Sequence, residues 1–166
     1  VEKTFPSGNG KVPEFKITLQ NKEKVETRKG VDQANLIFAY HVPTASDDKN
    51  YAAQVLNAVM AYGMSSRLFA EIREKRNLAY AVKGGSSITK DFAYTSIYVG
   101  TTKENIQIVK KLILEEFEKL KKELNEKELN AAKEQLVGNH HINMEDSQSQ
   151  MVGLLGDEMD GDASEF

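Results

Sequence analysis

Residues 65–80 read SSRLFAEIREKRNLAY, and the change of pattern inside them, from apolar residues spaced by three and four to the start of an alternating run, decides the fold. Leu68, Phe69 and Ile72 give a helix one apolar face, with Arg67, Glu71, Arg73, Glu74 and Arg76 around it. Ser65 or Ser66 can cap its start, and Asn77 tolerates the left-handed backbone with which helices often end. Arg73 and Tyr80 are seven residues apart. Two turns at about 3.6 residues each would put them on one side of the helix and its exit, able to hold a polar ligand against the edge of the next strand. Spacing alone fits an ordinary charged surface helix better.

Working outward, the residues after Leu78 alternate as two strands, Ala79 to Ile88 and Phe92 to Gly100, joined through Thr89-Lys90-Asp91. Aromatic and small residues alternate in the second, which predicts a half-buried antiparallel hairpin. Gly84-Gly85 marks a bulge or a place where another backbone comes close. Upstream, a helix from about Tyr51 to Ala61 buries Val55, Leu56, Val59 and Met60. Pro43 ends a strand over Ala34 to Val42, with Leu36, Phe38, Tyr40 and Val42 on one face and Ile37 and Ala39 on the other, so both faces are expected to be covered. A short strand is expected over Glu14 to Gln20. Residues 1–13, with two prolines and two glycines, read as a linker or tail, leaving 14–166 as a single domain.

The last third predicts helices. Thr101 with Glu104 forms a capping-box pattern ahead of Ile106, Val109, Ile113, Phe117, Leu120 and Leu124. Asn125 with Glu128 repeats it ahead of Leu129, Ala132 and Leu136, a third helix is expected over Ser147 to Glu158, and the acidic tail from Asp157 to Phe166 is expected to fray. The fold class is α+β: a mainly antiparallel sheet with helices packed on it.

At 166 residues, 40% hydrophobic and 28% charged, the chain is sized for one soluble domain. No apolar run approaches the roughly 18 residues needed to cross a membrane, and interspersed charges summing to -3 supply no field to recruit nucleic acid. Neither membrane nor nucleic acid is expected as a partner. With no cysteine there is no disulfide, thiolate ligand or cysteine nucleophile. The N-terminus lacks a secretory signal, which favours the cytoplasm; it also lacks Met and reads as an excised or processed piece.

Candidate chemistry is sparse. A zinc hydrolase needs converging imidazoles and carboxylates, usually from a short helical motif such as HxxEH, and that motif is absent. His140, His141 and Glu145 come nearest and fit a polar helix face better; His41 stands alone on a strand. The serines lack a GxSxG setting, and Gly84-Gly85-Ser86-Ser87 follows a strand start where a phosphate loop would open a helix.

The segments GMSSRLFAEIREKRNLAY (63–80), IYVGTTKEN (97–105) and ELNAAKEQLVGN (128–139) together resemble the C-terminal, non-metal-binding domain of the pitrilysin and insulinase zinc peptidases, with the mitochondrial processing peptidase-like branch nearest. The resemblance covers roughly residues 25 to 155. It implies a LuxS- and processing-peptidase-like metallohydrolase fold that closes, clamshell-fashion, around an unfolded peptide against a homologous HxxEH-bearing domain, on the same polypeptide or a separate subunit. It also implies that zinc belongs to that partner domain, that this chain holds no metal or other cofactor, and that it is inactive alone. The family's arginine and tyrosine, seven residues apart, match Arg73 and Tyr80, which makes Arg73 and not the nearer Arg76 the candidate. Both are read as catalytic, since a peptide carbonyl under attack gains negative charge that a guanidinium and a phenol can stabilise. Gly84 and Gly85, on the strand leaving Tyr80, are candidate substrate-binding positions. Asn77 stands where the family usually has glycine, and the family domain usually continues through further helix, so a truncated piece is expected. The alternatives are a scaffold subunit of the same fold without peptidase function, or a stand-alone peptide-binding module.

Overall fold

Every strand here alternates, and the alternation has one covered side. In the computed structural model, which describes residues 17–160 and Ala163, β3 (Ala93–Thr102) is the middle of a three-stranded antiparallel sheet between β1 (Gln33–His41) and β2 (Ala79–Ile88). Register places Ile37 and Lys83 on either side of Tyr98, and Phe38 and Gly84 on either side of Ile97. Ala93, Thr95, Ile97, Val99 and Thr101 point inward and are buried.

Against that inward row pack α1 (Lys49–Ala61), a π-helix (Phe69–Glu74) and α2 (Ile106–Glu123). Met60 and Ala61 of α1, Leu68 and Ile72 around the π-helix, and Val109 and Ile113 of α2 form one cluster with Val82, Ile97 and Val99. Full burial of each Met, Leu, Ile or Val side chain among them is worth roughly 1.5–3 kcal/mol. A satellite cluster of Ala58, Val59 and Ala132 seats α3 (Glu126–Asn143) on the far side of α1. The chain then enters α4 (Ser147–Asp160). None of the described helices is long and apolar enough to cross a membrane. The α+β architecture is therefore as the pattern predicts.

Four local expectations change. Residues 17–32 contain no strand: Ile17 and Leu19 alternate, but none of the three strands pairs with them, and Leu19 is 68% exposed. Residues 1–16, with the proposed linker and the start of that strand, lie outside the described residues. β1 is covered on one face only; Leu36, Phe38 and Tyr40 pack on the core while Ile37 is 67% exposed. Thr101 is a strand residue, not a cap, and its hydroxyl donates to the Leu78 carbonyl at 2.5 Å. Most of the helix expected after Ser66 has π geometry. The second cap does form, with the Glu128 amide donating to Asn125 Oδ1 at 3.0 Å.

Gly84 is where α1 meets β2. A Cβ there would lie 2.3 Å from Asn57 Oδ1, 2.7 Å from Ala61 Cβ and 3.1 Å from the Ala61 carbonyl carbon. Gly84→Ala should therefore lower the unfolding free energy by about 1–3 kcal/mol in urea denaturation, and an unchanged midpoint would contradict this close approach. Glu71, a buried residue of the π-helix, is ion-paired with Lys75 at 2.8 Å and with Arg76. The Lys75 bond, helped by Arg76 and opposed by burial, holds its carboxyl below the ordinary glutamate value. A carboxyl depressed in the folded state stabilises the fold above its unfolded pKa, and the contribution is lost as pH falls through the folded value. Glu71→Gln should cost about 1–3 kcal/mol at neutral pH and flatten the loss of stability below about pH 4.5; denaturation midpoints with the same acid slope in both proteins would refute it.

Candidate functional site

The sequence places three arginines around one short helix, and the fold gives each a different fate. Arg67 donates to the Glu128 carboxylate through Nε and, at 2.6 Å, through a terminal nitrogen, and reaches the Glu123 carbonyl at 3.4 Å. The Glu128 hydrogen bond raises its pKa further. Arg76 donates to both the carboxylate and the carbonyl of Glu71. Arg73 is exposed and makes no ion pair among the described residues; its guanidinium carbon lies 5.0 Å from the centre of the Phe69 ring, within cation–π range.

The helix holding Arg73 stops soon after it. The Lys75 amide donates to the Ala70 carbonyl at 2.9 Å, a five-residue π bond. Asn77 then takes φ 51°, its amide bonding the Arg73 carbonyl at 3.0 Å, and Leu78 bonds back to Ile72. Asparagine thus serves in the left-handed position as its chemistry allows. The seven residues from Arg73 to Tyr80 cross a π-turn, a left-handed cap and a strand entry, so two helical turns do not describe their relation.

Tyr80 occupies a β-bulge. The register passes from Ala79 opposite Thr101 to Ala81 opposite Gly100, leaving Tyr80 as the extra residue. Its ring lies on the uncovered face of the sheet, directly over Gly100, where an added Cβ would stand 2.2–2.6 Å from ring and hydroxyl atoms. The phenol meets Asn35 Oδ1 of β1 at 3.3 Å and the Tyr98 hydroxyl at 3.4 Å, and Tyr98 itself donates to Asn35 Oδ1 at 2.8 Å. The hydrogen bond with Tyr80, with burial second, pushes the Tyr98 phenol above its ordinary pKa. Tyr80 remains 45% exposed.

Arg73 shares a cavity with β2, and Tyr80 is not part of its lining. This cavity, of about 320 Å³, is lined by Phe69 and Arg73, by Tyr62, Gly63 and Met64, and by residues 81–84. Of the glycine pair, Gly84 is packed on α1, while nothing stands within 4 Å of where a Gly85 Cβ would be. A larger cavity of about 800 Å³ lies between α3 and α4, with His140, Asp146 and Asp157 among its lining. Among the described residues no three His, Asp or Glu side chains come together to hold a metal ion, so the residues present do not fit zinc. His41 sits on the uncovered face opposite Tyr94.

The sequence profile of the peptidase M16 inactive domain matches residues 1–136. The chain belongs to the peptidase M16 family, as its inactive domain. It is 33% identical over 154 residues to an uncharacterized zinc protease, YmxG, of Bacillus subtilis, which covers 91% of this chain and 38% of that protein. An uncharacterized zinc protease of Rickettsia felis is 36% identical over 112 residues, 67% of this chain and 27% of the relative. A crystal structure described as the peptidase M16 inactive domain from Pseudomonas fluorescens aligns with TM-score 0.63 and 29% identity over 75% of this chain and 30% of that one. The chain thus spans about a quarter to two fifths of the length of these relatives.

Asn35, Tyr98 and Gly100 were not visible as site residues in the M16 sequence. Only the strand register brings them to Tyr80; Asn35 shares the outward row of β1 with the polar Gln33 and His41, so its polarity does not single it out. Gly100→Ala should push the Tyr80 ring off β3. Nuclear Overhauser contacts between the Tyr80 and Tyr98 rings should disappear while those among Ile97, Val99 and Val109 persist; retained ring contacts would show that Gly100 does not set the ring's place.

Proposed function

We propose that this M16 inactive domain is the substrate-clamping half of a zinc metalloendopeptidase, presenting Arg73 and Tyr80 to an unfolded peptide enclosed against a homologous HxxEH-bearing domain. That domain lies on the same polypeptide or on a separate subunit, and zinc belongs to it. One observation carries the reading: Arg67 and Arg76 are both consumed by carboxylates of the fold, while Arg73 makes no ion pair among the described residues. A guanidinium left in this way and a phenol that is 45% exposed and held only by long hydrogen bonds are two donors free to turn to a ligand.

The chemistry follows from charge development. A peptide carbonyl oxygen becomes negative as its carbon is attacked, and donors already in place stabilise it without reorganising; one such donor is worth about 3 kcal/mol. Arg73 brings full charge and planar donors, Tyr80 a neutral O–H. Residues 81–84 line the cavity beside Arg73, and β2 is an edge strand, so an extended peptide laid along it would find unpaired backbone groups. Gly85 leaves room above the strand, and Gly84 offers its backbone alone, since α1 fills its Cβ side.

Assayed together with the metal-bearing domain, Arg73→Ala and Tyr80→Phe should each lower kcat about 100-fold with the melting curve unchanged. Turnover at the parent rate in either variant would remove that residue from the clamp, and in both would favour the scaffold reading. Peptide hydrolysis by this chain alone, with stoichiometric zinc, would overturn the division of labour.

A further inference from the structure

We propose that Asn35, with Tyr98, is a positioning residue for Tyr80: its side-chain carbonyl gathers both phenols on the uncovered face and fixes where the Tyr80 hydroxyl stands. This rests on the reading of Tyr80 as the phenol that meets substrate.

The geometry is demanding. Tyr80 is on β2 and Asn35 on β1, two strand spacings apart, roughly 10 Å. A tyrosine spans that gap only by lying flat across β3, and the position opposite Asn35 on β3 is Gly100, which has no side chain to obstruct the ring. The bulge at Tyr80 turns the side chain onto this face. With Gly100 as floor and Asn35 as stop, the ring has one place to lie.

The two bonds at Asn35 differ in a useful way. An amide oxygen has two lone pairs and can take both phenol protons. Tyr98 holds one at 2.8 Å, within the ordinary range, while Tyr80 makes a long contact at 3.3 Å. Tyr98 and Asn35 thus anchor each other, and Tyr80 is located without being tightly held. Its proton can turn to a ligand oxygen at the loss of one weak bond, and the Tyr98 bond keeps Asn35 in place when it does. Asn35 itself lies exposed on an edge strand, so the fold makes little other use of it.

The test is a double-mutant cycle in the protein together with its metal-bearing domain, scoring kcat and KM on one peptide. Asn35→Ala should lower kcat about three- to tenfold, the worth of one neutral hydrogen bond, with KM changed less than about twofold. In the Tyr80→Phe background the same substitution should have no further effect, because the hydroxyl it positions is gone. A full additive loss in the double variant, or an Asn35→Ala enzyme at parent kcat, overturns the positioning role while a Tyr80→Phe defect leaves the clamp standing. Parent activity in Tyr80→Phe overturns both.

Discussion

The inward row of β3, Ala93, Thr95, Ile97, Val99 and Thr101, is the surface on which the domain is built; none of the five exceeds 3% exposure. Its two threonines stay in that row because their hydroxyls are satisfied locally, Thr101 by the Leu78 carbonyl and Thr95 by the Ser86 hydroxyl at 2.8 Å. With α1, the π-helix and α2 all on this side, the opposite row of the sheet meets no helix among the described residues. Tyr80, Tyr98, Asn35 and Ile37 share that uncovered face as a consequence. The surface around Tyr80 is the reverse side of the core.

Charge sorting decides which cation of the π-helix region remains unpaired among the described residues. Glu128 on α3 draws Arg67, and Glu71 draws both Lys75 and Arg76. Buried or half-buried ion pairs contribute little net stability once desolvation is counted, but they specify which partner goes where. Here the Arg67–Glu128 pair ties the residues just before the π-helix to α3, and apolar packing of Ala132 on Ala58 and Val59 ties α3 to α1. Helices far from the sheet's open face thereby fix the orientation of the element that carries Arg73.

Much of this was legible beforehand, and the boundary is physical. The hairpin, the two long helices, the cap at Asn125 and the left-handed Asn77 follow from periodicity and local backbone preference, which act over a few residues. Ile17 and Leu19, in the described part of the stretch expected as a first strand, alternate as a strand does, but none of the described strands pairs with them, and pairing is a nonlocal fact. Ile37 looks as buried as Phe38 in the sequence, since apolarity marks what a residue tolerates and not which face the helices choose. Gly84-Gly85 left a bulge and a close approach both open, and only packing could say that α1 approaches Gly84 while nothing stands near Gly85. At the site, motif resemblance singled out Arg73 and Tyr80, whereas Asn35 and Gly100 belong to strands 45 and 20 positions away and emerge only with the register.

The π-turn was the least visible element and explains the most about Arg73. On an α-helix, neighbours on one face are three and four residues apart, so positions 71 and 76, five apart, would diverge. Opening the ladder by one residue, as the bond from Lys75 to Ala70 does, brings position 76 over position 71. Glu71 can then hold Lys75 and Arg76 together. With that carboxylate occupied from the C-terminal side, Arg73 makes no ion pair among the described residues and rests against the Phe69 ring, a contact worth about 0.5–1 kcal/mol at an exposed site. The wide turn and the unclaimed arginine are therefore one feature: the irregular helix binds two of its cations so that the third is left for something else.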